Sequence, residues 1–237
     1  MAGRRSKTER DVRRRALAQN FLRSRAVAEQ IVRSAGVTRG DLVLELGAGT
    51  GVLTAALARR AGRVLAVELD RDWARRLLDR FEDADNVFVA RGDALLFPLP
   101  AEPFRVVANL PFSRTTAFLH CLLDDPTSPL READLIVQDE VARKRARNRG
   151  TVLTVSWAPW FEFSLGERVP PHAFRPVPRT RASVLRVRRR PSQLLDPSER
   201  DEFAAFVRAE FERQSAESAG RSAEEWVKRF RGRCPLP

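Results

Sequence analysis

At 237 residues with 43% hydrophobic content, the chain can bury one full core and a small appended unit, and no window of about 18 apolar residues offers a membrane span. Its two cysteines, Cys121 and Cys234, and two histidines, His120 and His172, are scattered without CxxC spacing, which excludes a disulfide framework and a metal site. The formal net charge of +12 is nearly all arginine, since Lys7, Lys144 and Lys228 are the only lysines, and it points to a polyanionic partner.

The first residues, "MAGRRSKTERDVRRR", lack the apolar stretch of a secretory signal, so a cytoplasmic location is expected. They read as a basic arm over residues 1–15, carrying Arg4, Arg5, Lys7, Arg10, Arg13, Arg14 and Arg15. "SRAVAEQIVRSAG" has helical spacing (Val27, Ile31, Val32) and stops at Gly36. Strands and helices then alternate. "DLVLEL" is an apolar run, "TGVLTAALARRAG" a helix ending at Gly62, "RVLAVEL" a strand, "RDWARRLLDRF" an amphipathic helix and "NVFVA" a strand. "FRVVA", a helix over Thr115 to Leu123, the strand "ADLIVQ" and a basic helix from Asp139 to Arg149 follow, with Asp139 and Glu140 expected to cap the last. Continuous apolar strands separated by helices mean a parallel sheet covered on both faces. From Thr151 the pattern changes: "WFEFSLGERV" and "ASVLRVRRR" read as two longer strands joined through a Pro-rich segment, an antiparallel end to a mostly parallel sheet. Past a boundary near Pro191, Arg200 to Arg213 and Ser222 to Phe230 read as two helices of a small tail. Besides the arm, positive charge clusters at Arg143, Lys144, Arg145, Arg147 and Arg149, and at Arg186, Arg188, Arg189 and Arg190. A GC-rich genome explains arginine over lysine but not basic over acidic, and three separate clusters favour nucleic acid.

The chemistry is expected at strand ends. "LELGAGTG" places Glu45, then Gly47, Gly49 and Gly51, directly before a helix, where glycines let backbone approach a ligand. The dinucleotide fingerprint fails, because its sixth position is Val52, and no P-loop Lys-Ser/Thr pair is present. Glu68 ends the second strand 21 residues after Gly47, the usual place for an acid that accepts ribose hydroxyls. After the third strand, "RGDAL" offers Asp93 to an adenine amine and the Ala94 N–H to its ring edge, although Asp93 alone reads equally as a turn residue. The fourth strand ends in "VANLPF". Pro111 removes a backbone donor and pushes Leu110 to an extended conformation, so a rigid turn presents one amide side chain, one carbonyl and one ring.

With "QNFL" (Gln19 to Leu22), "ELGAGTG", "VELD", "GDAL", "NLPF", "VQDEVARK" and "FRPVPRTRASV", residues 16 to 190 resemble the class I S-adenosylmethionine-dependent methyltransferases, and within them the rRNA adenine N6-methyltransferases. "NLPF" followed by "WAPWFEFSLGERV" is most similar to the actinobacterial erythromycin-resistance enzymes, which methylate one adenine in the peptidyl-transferase region of 23S rRNA. The resemblance implies an α/β, Rossmann-like fold: a mostly parallel seven-stranded sheet with helices on both faces and a short C-terminal helical domain. It implies that Gln19, Asn20, Leu22, Glu45, Gly47, Gly49, Gly51, Glu68, Leu69, Asp93, Ala94 and Asn109 line a site for S-adenosylmethionine. It also implies that Phe112 and Phe174 flank the target base, beside Asn109, Leu110 and Pro111. RNA would bind the arm and the Arg143 to Arg149 helix; the partner would be protein-free 23S rRNA, with no metal and no membrane, and the chain a monomer. Only 47 residues follow Arg190, fewer than such relatives usually carry, so the tail domain reads as abbreviated.

An adenine amine is a poor nucleophile because its lone pair is delocalised into the ring. If the Asn109 side-chain oxygen and the Leu110 carbonyl each accept one N–H, the nitrogen is drawn toward tetrahedral geometry, which is catalysis by positioning and electrostatics. Three alternatives stand beside this reading. A small-subunit rRNA adenine dimethyltransferase shares the fold and chemistry but usually has Tyr in place of Phe112. A non-catalytic RNA-binding or transcription-factor descendant could dispense with the cofactor residues. A DNA adenine methyltransferase usually has a second proline in place of Leu110.

Overall fold

A computed structural model of the chain describes residues 20–147, 150–213 and 220–233. Gln19, the whole basic arm, Arg149 and Cys234 lie outside the described residues. The first elements are β1 (Phe21–Leu22), α1 (Arg25–Ser34), β2 (Leu42–Leu46), α2 (Val52–Ala58), β3 (Arg63–Glu68), α3 (Arg71–Arg80), β4 (Val87–Arg91) and β5 (Phe104–Asn109). Then follow α4 (Thr115–Leu123), β6 (Leu130–Gln138), α5 (Asp139–Ala146), α6 (Val152–Trp157), β7 (Phe161–Val169), β8 (Phe174–Arg175), β9 (Ala182–Arg189), α7 (Arg200–Arg213) and α8 (Ala223–Arg231).

Seven strands form one sheet in the order β4-β3-β2-β5-β6-β9-β7. β4 to β6 run parallel, and β9 inserts antiparallel to both β6 and β7, so the mostly parallel, seven-stranded α/β fold expected from the resemblance is the fold observed. The apolar runs are continuous because both faces are buried. Leu44, Val106, Leu135 and Leu185 join one cluster with Phe118, Leu119 and Leu122 of α4, while Val43, Val107, Ile136 and Val184 join another with Ile31 and Val32 of α1 and Leu53 and Leu57 of α2. The first cluster runs on through Trp160 and Phe161 to Phe203 and Val207 of α7 and Trp226 and Phe230 of α8, so the helical tail packs on the same apolar body.

Some details depart from the sequence reading. α2 spans only Val52–Ala58 and stops before Gly62. α6 was not expected at all: its N-cap Thr151 accepts the Thr154 N–H, a signal masked by the β-branched run that follows. At the start of α2, Gly51 has φ 71°, and a Cβ there would stand 2.6 Å from Leu77 Cδ2, so only glycine fits the entry to this helix.

Candidate active site

The sheet order changes direction at β2, which pairs β3 on one side and β5 on the other, and open α/β sheets place ligands at the carboxyl ends of such strands. There the turn after β2 folds back on β3: the Gly47 and Ala48 N–H groups both donate to the Val67 carbonyl, at 2.9 and 3.1 Å. Gly49 N–H donates to Glu68 Oε2 at 2.7 Å, and Asp70 N–H to Glu68 Oε1 at 2.9 Å. Glu68 therefore anchors the glycine turn from the end of β3. Burial nonetheless raises its pKa, because the backbone donors of Asp70, Gly49 and Leu69 only partly offset the desolvation of the charged form. With about four acceptor sites, the carboxylate keeps capacity beyond these donors.

At the end of β5, Leu110 N–H donates to the Ile136 carbonyl at 3.2 Å, which carries the strand one residue past Asn109 before Pro111 turns the chain at φ −58°. The Asn109 Nδ2 group donates to the Asn20 carbonyl at 2.8 Å, across 89 residues of sequence. That bond sets the amide's orientation, since the opposite flip would face two oxygens at the same distance. It leaves Asn109 Oδ1 buried and without a hydrogen-bond partner. A buried amide oxygen left unpaired costs about 1–3 kcal/mol, and such groups are uncommon in folded proteins. β1 is tied over the same place: Thr50 Oγ1 donates to the Leu22 carbonyl at 3.1 Å, and the Phe21 ring lies against Gly49 and 5.4 Å from the Trp73 ring.

Asn20, Phe21, Gly47, Glu68, Asn109, Leu110 and Pro111 line one cavity of about 30 Å³, room for little more than a water. The backbone next to it is more open: Leu69, which follows Glu68, is 43% exposed, and Gly47, at φ 76°, has no atom within 4 Å of where a Cβ would stand. Phe112 is half-buried beside this turn. Asp93 Oδ1 accepts the Leu95 N–H at 3.0 Å in an Asx turn, and Ala94 is buried beneath it. An open glycine backbone, a carboxylate with spare acceptor sites and an orphaned amide oxygen fit the reactive end of a nucleoside-bearing cofactor.

Several of the expected residues stand apart from this cavity or are engaged elsewhere. Glu45 does not line the cavity: it is buried beneath the glycine turn and accepts Thr54 Oγ1–H at 2.6 Å. Phe174 is only 2% exposed, packed in the second core cluster, and offers no ring face to a base in this conformation. Arg145 is buried at 8% exposure, with Nη1 on the Thr151 and Thr154 hydroxyls, so it is not presented to RNA. α5 ends at Ala146; Lys144 and Arg147 are exposed, while Arg143 pairs with Asp139 at 2.8 Å. Asp139 also accepts Ser183 Oγ–H, and the N-cap is Gln138, not an acid. The third basic cluster is spent internally. Arg186 and Arg188 pair with buried Asp134, Arg189 donates to the Leu130, Pro126 and Ser128 carbonyls, and Arg190 bonds the Ala158 carbonyl and Glu224.

Phe21 also lines the cavity, which its sequence does not signal, because a two-residue strand has no periodicity to show which side chain faces a ligand. No group of three or more His, Cys, Asp or Glu residues among the described ones could hold a metal ion, and no described helix is long and apolar enough to cross a membrane.

Burial raises the Glu45 pKa from 4.5 to about 8, the Thr54 hydrogen bond opposing and Glu68 adding to the effect. Between these values the folded chain holds a proton that the unfolded chain has lost, so stability is full below the lower value and falls as pH rises through the higher one. This single group contributes a fall of at most about 1.4 kcal/mol per pH unit. Glu45→Gln is expected to flatten the loss of stability between pH 5 and 8 in urea unfolding; an identical slope in both proteins would refute the buried, protonated acid.

A family model described as ribosomal RNA adenine dimethylase matches residues 10–217. An rRNA adenine N-6-methyltransferase of Aeromicrobium erythreum is 41% identical over 88% of this chain, which spans 61% of that relative's length. The mycinamicin-resistance protein MyrB of Micromonospora griseorubida is 39% identical over 92% of this chain and 72% of its own. Among solved structures, that of the 23S rRNA methyltransferase ErmE superposes with a TM-score of 0.77 at 29% identity, covering 90% of this chain and 98% of the other. With the glycine turn, the Glu68 anchor and the Asn109 turn in place at adjoining strand ends, the match over most of its length makes this chain a member of the ribosomal RNA adenine dimethylase family.

Proposed function

We propose that the chain methylates the exocyclic N6 amine of one adenine in the peptidyl-transferase region of 23S rRNA, and so confers resistance to macrolide, lincosamide and streptogramin B antibiotics. The observation that carries this reading is Asn109 Oδ1, an oriented, buried acceptor with no partner among the described residues, next to a carbonyl in a proline-fixed turn. S-adenosylmethionine, when bound, supplies the electrophilic methyl group. Glu68 would hold the ribose hydroxyls, Gly47 and Asn20 would border the amino-acid end, and Leu69, Asp93 and Ala94 would form the adenine rim. Asn109 Oδ1 and the Leu110 carbonyl each accept one N–H of the target amine, turning its lone pair out of conjugation. Phe112 stacks on the flipped base, an interaction typically worth about 1–3 kcal/mol.

In this reading residues 16–190 form the catalytic domain, 191–237 a small helical domain and 1–15 an RNA-binding arm, acting with exposed Lys144 and Arg147 on phosphates in the cytoplasm as a monomer. Phosphate contacts position the RNA, and the turn selects the base.

Expression in a sensitive bacterium followed by mapping of methylated adenines tests the reading. Methylation of one domain V adenine with macrolide resistance is expected; methylation confined to the small-subunit RNA would establish the biogenesis enzyme instead. Phe112→Trp is expected to keep much of the activity, because any flat ring can stack, while Phe112→Ala loses base capture. A fluorescent adenine analogue at the target position reports this directly, and normal unstacking by Phe112→Ala would show that the ring is packing only.

A further inference from the structure

A second cavity, of about 340 Å³, lies between the end of α5, the first residues of β7 and the start of α8, and shares no residue with the one at Asn109. Five buried side-chain nitrogen or oxygen atoms of described residues have no hydrogen-bond partner, and three of them belong to residues lining this cavity: Arg145 Nε, Arg221 Nη1 and Trp226 Nε1. All three are donors. One unpaired buried donor costs about 1–3 kcal/mol, and more when charged, so three on one space call for an acceptor that fills it.

Water would satisfy the hydrogen bonds but not the charge. Arg145 is 8% exposed, its Nη1 reaches only two threonine hydroxyls, and burial lowers its pKa with no carboxylate opposing. The acids of the lining are Glu162 and Glu224, and both pair with Arg190 at 3.2 Å. No described carboxylate pairs with Arg145 or Arg221, and Arg147 adds a further positive charge at the wall. An oxyanion supplies both missing components. Three donors on three separate side chains suit a tetrahedral anion, whose four oxygens give each donor its own acceptor, better than a planar carboxylate with two. Trp226, 1% exposed and stacked on Phe211 at 5.6 Å, is held rigidly at this wall, with the Arg221 guanidinium carbon 5.8 Å from its ring centroid.

We propose that this cavity is a phosphate-binding site, in which the Arg145, Arg221 and Trp226 side chains donate to the oxygens of one phosphoryl group. The volume admits a phosphate together with part of a nucleoside, so the group can come from an RNA backbone or from a free nucleotide. The inference does not rest on the methyl-transfer reading.

The full chain, with its four tryptophans labelled at the indole nitrogen, allows a direct test. Inorganic phosphate is titrated at ionic strength held constant with chloride, and the indole N–H signals are followed by NMR, Trp226 being assigned from Trp226→Phe. A saturable shift of the Trp226 signal alone is expected, weakened about tenfold or more in Arg221→Gln, for loss of one charge-assisted hydrogen bond. Displacement by a short RNA at lower concentration than by adenosine monophosphate assigns the site to backbone phosphate, and the reverse order to a free nucleotide. A Trp226 signal that stays fixed in phosphate, moves equally in chloride, or saturates unchanged in a folded Arg221→Gln protein overturns the proposal.

Discussion

Asn109→Ala is expected to slow methyl transfer by about 10²- to 10³-fold, the loss typical of one preorganised electrostatic contact, while RNA affinity barely moves. The reasoning starts from the orphaned atom. In the wild-type fold Oδ1 makes no bond that alanine would break, so its removal acts on the bound amine and not on the scaffold. The other half of the amide does break a bond, Nδ2 to the Asn20 carbonyl, and its loss is expected to lower stability by about 1 kcal/mol. Single-turnover transfer with saturating cofactor separates the two, since destabilisation lowers the active fraction but not the rate constant. An unchanged rate constant, or abolished RNA binding, would make the turn a purely structural one.

Glu68→Ala is expected to weaken S-adenosylmethionine binding by about 1.5–3 kcal/mol, or roughly 10- to 150-fold, measured by titration calorimetry. Two losses combine here: acceptors for the ribose hydroxyls, and the anchor for the Gly49 and Asp70 N–H groups that shapes the glycine turn. Glu68→Gln keeps an acceptor for only one of those donors, so its affinity should fall between the two. Equal affinities in all three proteins would remove Glu68 from the cofactor site.

The parallel core was legible because β2, β3, β5 and β6 are buried on both faces, so that each reads as an unbroken apolar run. The strand ends were legible for a different reason: a proline, three glycines and two acids are chemically conspicuous where a strand must stop. What stayed hidden is what depends on long-range packing. Glu45 and Glu68 look alike in sequence, both acids near the ends of strands, yet one turns inward to Thr54 and the other sits at the glycine turn and the cavity. Charge was the least readable property. A run such as Arg186 to Arg190 looks like a nucleic-acid stripe until its partners, Asp134, Glu162, Glu167 and Glu224, are brought from far along the chain. The reverse holds for Arg145 and Arg221, whose lack of an acid partner among the described residues is visible only once α5 and α8 enclose a common space.

The central claim is that the turn at Asn109 presents an adenine N6 amine to a sulfonium methyl group. The most direct measurement incubates the purified chain with methyl-labelled S-adenosylmethionine and protein-free 23S rRNA, digests the RNA to nucleosides and identifies the labelled product. The account predicts label at N6 of adenosine, near-absent with Asn109→Ala at equal RNA occupancy. Label on a pyrimidine carbon or a ribose oxygen, or none at all with RNA and cofactor both bound, would contradict it.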